Sequence, residues 1–177
     1  MSKDIKYNKK CFEIYLSNKD IVEKIDNVTS EINYAYKEKK IHIIALLNGC
    51  IPTLERFLKN INIDYELNMI EVSSYNGMER GELNIDSSFD ENFIFGENIL
   101  IVDDIVDSGS TITKIKEKIL NKSPLSNIKV FSLLSKRETN NICDWYCYLI
   151  PNKYVIGFGM DINNLFRELT DIYIMKD

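Results

Sequence analysis

The chain has 177 residues with 45% hydrophobic content, long enough for one substantial core and short for two. Its 22 basic residues against 27 acidic ones give a net charge of −5, which argues against nucleic acid as a partner, because duplex binding rests on Lys and Arg neutralising phosphates. It contains neither an apolar run of about 18 residues nor a signal-peptide pattern after Met1-Ser2-Lys3, so a soluble, cytoplasmic protein with no membrane association is expected.

The first strongly periodic segment runs from Ser17 to Lys39. There Ile21, Ile25, Val28, Ile32 and Ala35 recur at helical spacing behind a Ser17-x-x-Asp20 capping pattern. A continuous apolar strand follows from Ile41 to Leu47, then a helix near 52–60 whose first turn suits the fixed φ of Pro52. Another strand is expected over about 61–74. Residues 76–95, with Gly77, Gly81, Ser87 and Ser88, lack firm periodicity and read as a lid or as an ordinary hairpin connection. Ile99 to Val102 is again continuously apolar, as a central parallel strand buried on both faces requires. Beyond it Ile112, Ile115, Ile119 and Leu120 mark a helix near 110–121, and further strands are expected near 128–134 and 154–159. Strands alternating with helices imply an α/β fold with a mostly parallel, doubly wound sheet.

Some chemistries are excluded by composition. The one histidine, His42, sits inside an apolar strand, so Ser-His-Asp, Cys-His and zinc mechanisms lack their partners. Proton transfer must fall to a carboxylate, a lysine or a tyrosine. Cys11, Cys50, Cys143 and Cys147 form no C-x-x-C pair and read as reduced, mostly buried thiols.

The richest stretch is ILIVDDIVDSGST at 99–111, a buried strand that runs into three carboxylates and a small loop opening a helix. Asp103 and Asp104 come where the strand ends, so they project into the crevice where open α/β sheets bind ligands, and they suit a diol or a hydrated Mg²⁺. In Asp107-Ser108-Gly109-Ser110-Thr111 the unpaired N–H groups and the positive end of the helix dipole favour a phosphate, with hydroxyls adding donors.

This string closely resembles the phosphoribosyl pyrophosphate signature of the type I phosphoribosyltransferases. Three further segments resemble, in the right order, the hypoxanthine-guanine branch of that family: Leu46-Leu47-Asn48-Gly49; Ser73-Ser74-Tyr75-Asn76-Gly77; and SLLSKR at 132–137 with PNKYVIGFGMD at 151–161 and LFREL at 165–169. The likeness covers about residues 41–177. It implies a type I phosphoribosyltransferase fold as a single domain over 1–177, with a small hood from the N-terminal segment and about 140–177, and a mobile loop at about 74–90.

The activity so implied is purine salvage: Mg²⁺-dependent transfer of the 5-phosphoribosyl group from phosphoribosyl pyrophosphate to N9 of hypoxanthine or guanine, giving IMP or GMP and pyrophosphate, by a homodimer or homotetramer. In the roles the resemblance assigns, Asp107 takes the proton from purine N7, and Asp103, Asp104, Asp107, Ser108, Gly109, Ser110 and Thr111 hold the ribose 5-phosphate. Leu47, Asn48, Gly49, Ser74, Tyr75 and Arg167 receive pyrophosphate, the first loop through a cis peptide that exposes N–H groups. Lys136 donates to the 6-oxo group, Tyr154 stacks on the ring, Val155 and Asp161 complete the purine contacts, and Asp103, Asp104 and Asp161 serve Mg²⁺. An ammonium has donors and no acceptor, which favours an oxo over an amino group at position 6. The chain departs from common family residues at Asn48, Cys50 and Ser110, which bear on phosphate and pyrophosphate affinity, and at Tyr154, which is conservative for stacking. The alternatives are a xanthine-preferring enzyme and an RNA-binding regulator of pyrimidine genes on the same fold, the latter disfavoured by the acidic balance.

Overall fold

The structure is a computed structural model that describes residues 4–74, 83–85, 97–137 and 141–176. In chain order the elements are β1 (Ile5–Tyr7), β2 (Lys10–Leu16), α1 (Asn18–Ala35), β3 (Ile41–Leu47), α2 (Ile51–Asn60), β4 (Tyr65–Ser74), β5 (Leu83–Ile85), β6 (Asn98–Val106), α3 (Ser110–Lys122), β7 (Asn127–Lys136), β8 (Trp145–Ile150), β9 (Val155–Ile156) and β10 (Ile172–Met175).

The larger sheet has the order β5-β4-β3-β6-β7-β8, with β4, β3, β6, β7 and β8 parallel and β5 antiparallel at the edge. Its central strands are apolar on both faces because both faces are covered. On β3 and β6, Ile43, Ala45, Leu100 and Val102 face Ile21, Ile25, Val28 and Ile32 of α1 and Leu54 and Phe57 of α2. Ile44, Leu46, Ile99 and Ile101 face Ile112, Ile115 and Ile119 of α3. This is the doubly wound α/β arrangement. His42 is buried near the start of β3 and meets Asn68 of β4, at the end of the strand opposite its loop to α2.

Four short strands make a second, antiparallel sheet in the order β1-β2-β10-β9, sealed by Phe12, Ile156 and Ile162. The β1–β2 turn places Asn8 and Lys9 at φ 45° and 64°, the two positive angles that a two-residue hairpin matched to strand twist requires.

Several boundaries differ from the sequence expectation. Helix α1 starts at its Ser17 cap, whose hydroxyl accepts from the Asp20 N–H at 3.3 Å, but it ends at Ala35, before Glu38 turns to φ 62°. Residues 145–150 extend the larger sheet as β8, because Cys147 and Ile150 are buried in the core that α1 covers. Most of the lid expected over 74–90 lies outside the described residues; within it, Ser74 ends β4 and Leu83 to Ile85 pair antiparallel with Val72 to Ser74.

Candidate active site

Parallel strands direct the loops that follow them to one edge of a sheet, so the segments after β3, β6 and β7 share the C-terminal edge. After β6, Gly109 is the N-cap of α3 at φ 75°. A side chain there would be strained, and a Cβ would fall 2.0 Å from Ile142 Cδ1. Gly109 offers no capping oxygen; the Ser110 N–H donates to Ser108 Oγ at 3.4 Å, and a helix N-terminus of this kind suits an anion.

Asp103 and Asp104 stand side by side at the end of the buried run. Asp103 is 8% exposed, and its Oδ1 accepts from the Asp104 N–H at 3.0 Å. Burial, then the neighbouring Asp104 charge, pushes the Asp103 carboxyl well above its ordinary value, and burial also raises Asp104. The loop after β3 lies against this pair: its Leu47–Asn48 peptide is cis, and a Cβ on Gly49 would fall 1.9 Å from Asp104 Oδ2.

Two adjacent carboxylates whose charge burial disfavours fit a divalent cation. Mg²⁺ commonly takes one or two protein carboxylates and fills its octahedron with water and substrate phosphates, so the pair suits it. Asp161 is committed elsewhere. Its Oδ1 is 2.6 Å from Arg167 Nη2, and its Oδ2 accepts from the Asn164 N–H at 2.7 Å. Among the described residues, no three His, Cys, Asp or Glu side chains converge as a metal cluster.

On the base side, Lys136 ends β7 and is 9% exposed. Its Nζ lies 2.7 Å from Asp107 Oδ1 and donates to Asn152 Oδ1 at 2.9 Å. Tyr154 is half-buried, and its hydroxyl donates to the Asp161 carbonyl at 2.9 Å, which fixes the ring beside the buried Val155. Residues 157–169 are irregular, with Phe158 and Phe166 at φ 49° and 76°. They are nonetheless tied by crossing bonds such as Phe158 N–H to Leu169 carbonyl at 2.7 Å and Gly159 N–H to Arg167 carbonyl at 3.0 Å. Arg167 Nη1 donates back to the Gly159 carbonyl at 2.7 Å. Gly159 itself sits on the loop after β3, where a Cβ would fall 2.0 Å from the Gly49 carbonyl oxygen.

The structure thus joins Lys136 to Asp107, Arg167 to Asp161, Tyr154 to Asp161, and Gly49 to Asp104. Ser74 is placed as the last residue of β4, and Tyr75 lies outside the described residues. Sequence reasoning missed Asn152, Ile142 and the Gly159 contact. Asn152 follows Pro151 and reads as a turn residue, and nothing in the sequence points to its partner.

The family model of the phosphoribosyl transferase domain matches residues 12–163. A hypoxanthine-guanine phosphoribosyltransferase of Streptococcus pyogenes is 31% identical over 170 residues, covering 93% of this chain and 93% of that protein. One from Streptococcus thermophilus is 29% identical and covers 100% of this chain and 97% of its own length. Among solved structures, the hypoxanthine phosphoribosyltransferase of Trypanosoma cruzi superposes with a TM-score of 0.76 at 28% identity, covering 92% of this chain and 95% of that one. A point variant of that enzyme complexed with the product IMP gives a TM-score of 0.78 at 27% identity, covering 97% and 93%.

Proposed function

Because the chain belongs to the phosphoribosyl transferase domain family, alongside the hypoxanthine-guanine phosphoribosyltransferases, we propose that it salvages purines by transferring a 5-phosphoribosyl group from phosphoribosyl pyrophosphate to N9 of hypoxanthine or guanine. The observation that carries this reading is the Lys136–Asp107 contact of 2.7 Å. It sets a donor suited to a purine 6-oxo group beside a carboxylate suited to the N7 proton, at the mouth of the loop that opens α3.

The residues divide the work by chemistry. Ser108 to Thr111 grip the 5-phosphate with N–H groups and hydroxyls, while the carboxylates of Asp103 and Asp104 accept from the ribose diol. Mg²⁺, held by Asp103 and Asp104, would neutralise charge on the pyrophosphate when bound. Backbone N–H groups of Leu47 to Gly49, the Ser74-Tyr75 pair and the Arg167 guanidinium receive pyrophosphate as it leaves, which stabilises charge where it develops. Tyr154 stacks on the base, and Val155 and Asp161 meet its edge. Asp107 accepts the N7 proton as the bond to N9 forms, its carboxylate held by Lys136. The enzyme works in the cytoplasm as a homodimer or homotetramer. Among the described residues, no helix is long and apolar enough to cross a membrane.

The test is a panel of bases monitored by ultraviolet absorbance with phosphoribosyl pyrophosphate and Mg²⁺. Nucleotide should form from hypoxanthine and guanine and more slowly from xanthine. Failure to form nucleotide from any 6-oxopurine overturns the reading.

A further inference from the structure

We propose that Asn152 is a positioning residue for purine recognition: its side-chain carbonyl holds the Lys136 ammonium where the 6-oxo group is read. The proposal rests on the function argued above. An ammonium on a flexible four-carbon stem is a point charge that sets no direction of its own. Among its partners in the described residues are acceptors from different parts of the chain, Asp107 Oδ1 after β6 at 2.7 Å and Asn152 Oδ1 after β8 at 2.9 Å. Asp107 alone would draw the ammonium onto the carboxylate. Asn152 accepts from a second side and so fixes the ammonium's position. Lys136 is buried and Asn152 is exposed, so the contact lies where the lysine reaches the surface.

The experiment compares wild type with Asn152→Leu, Asn152→Ala and Asn152→Asp, reading KM for hypoxanthine, guanine and phosphoribosyl pyrophosphate separately, and checking folding by thermal unfolding. Leucine and alanine remove the acceptor from an exposed turn, so both variants should fold. Each should raise KM for both bases by roughly three- to tenfold, the worth of one hydrogen bond, and leave KM for phosphoribosyl pyrophosphate within about twofold. Aspartate restores an acceptor and should bring the base KM back to within about threefold of wild type. Unchanged base KM in the leucine and alanine variants, an equal rise for both substrates, or no rescue by aspartate overturns the proposal. If wild type forms no nucleotide, it is the function reading that has failed, a result these comparisons distinguish.

Discussion

Lys136 and Asp107 share one ion pair, yet in the proposed reaction one end binds the base and the other takes its proton, so truncating each should leave a different kinetic signature. Lys136→Ala removes a nearly buried donor that the proposed function assigns to the base. A charged hydrogen bond is worth about 1.5–3 kcal/mol, so KM for hypoxanthine and guanine should rise on the order of 10–100-fold. Binding of phosphoribosyl pyrophosphate, measured by titration calorimetry, should stay within a few-fold; an equal loss would move Lys136 to the phosphate site. Asp107→Asn keeps an oxygen for Lys136 but no longer accepts a proton. Turnover should fall by about 10²–10⁴-fold, with phosphoribosyl pyrophosphate still bound. Turnover near that of wild type would remove Asp107 from the role of base. Both residues were legible because Lys136 ends a strand and Asp107 follows one, each inside a patterned string. Asn152 was not, because a turn asparagine after proline looks the same whether or not a lysine from another loop reaches it.

At the scale of elements, the start of α3 is constrained twice, by the left-handed φ of Gly109 and by Ile142 lying over it. Gly109→Ala should therefore cost roughly 1–2 kcal/mol for the backbone, with a further cost for displacing Ile142. The urea midpoint should fall and KM for phosphoribosyl pyrophosphate should rise. Adding Ile142→Ala should recover only the steric part, and full recovery would show that φ carries no cost there. Strands β3 and β6 were readable in the sequence because burial on both faces leaves an uninterrupted apolar run. Strand β8 was not: Trp145, Tyr146 and Tyr148 are half-buried while Cys147 and Ile150 are buried, so its apolarity has no period of two. Strands β1, β2 and β10 are likewise short or mixed, and they form a sheet only by pairing across most of the chain's length. The turns that present Asp161 and Arg167 were illegible for another reason. Positive φ at Phe158 and Phe166 runs against residue type and is imposed by the crossing hydrogen bonds around them.

For the whole molecule, burial sets the behaviour of the thiols. Cys50, Cys143 and Cys147 are buried and Cys11 is half-buried. Burial pushes Cys143 up to about 11 and Cys147 to about 12, and raises Cys50 further. A chromogenic disulfide reagent at pH 8 should therefore titrate one of the four thiols in the native protein and all four in denaturant. Rapid reaction of three or more in the native protein would contradict the packing. The same burial links stability to pH. Above the ordinary thiol value of 9.0, unfolded cysteines lose protons that Cys143 and Cys147 keep when folded, so the unfolded state binds fewer protons and stability falls as pH rises from 9 towards 11. The urea midpoint should be lower at about pH 10.5 than at pH 8, with a shallower decline in Cys147→Ala; an unchanged midpoint would show that these thiols ionise as freely folded as unfolded. The order of the smaller sheet, β1-β2-β10-β9, has a consequence during synthesis. The ribosome delivers β2 early and β9 late, but the strand that joins them, β10, follows both. The strands of the larger sheet are all delivered while Val155, the first residue of β9, still lacks the pairing that secures it. Translation thus delivers every strand of the larger sheet before the smaller sheet can close, and a chain that stops before Ile172 lacks the partner that secures Val155.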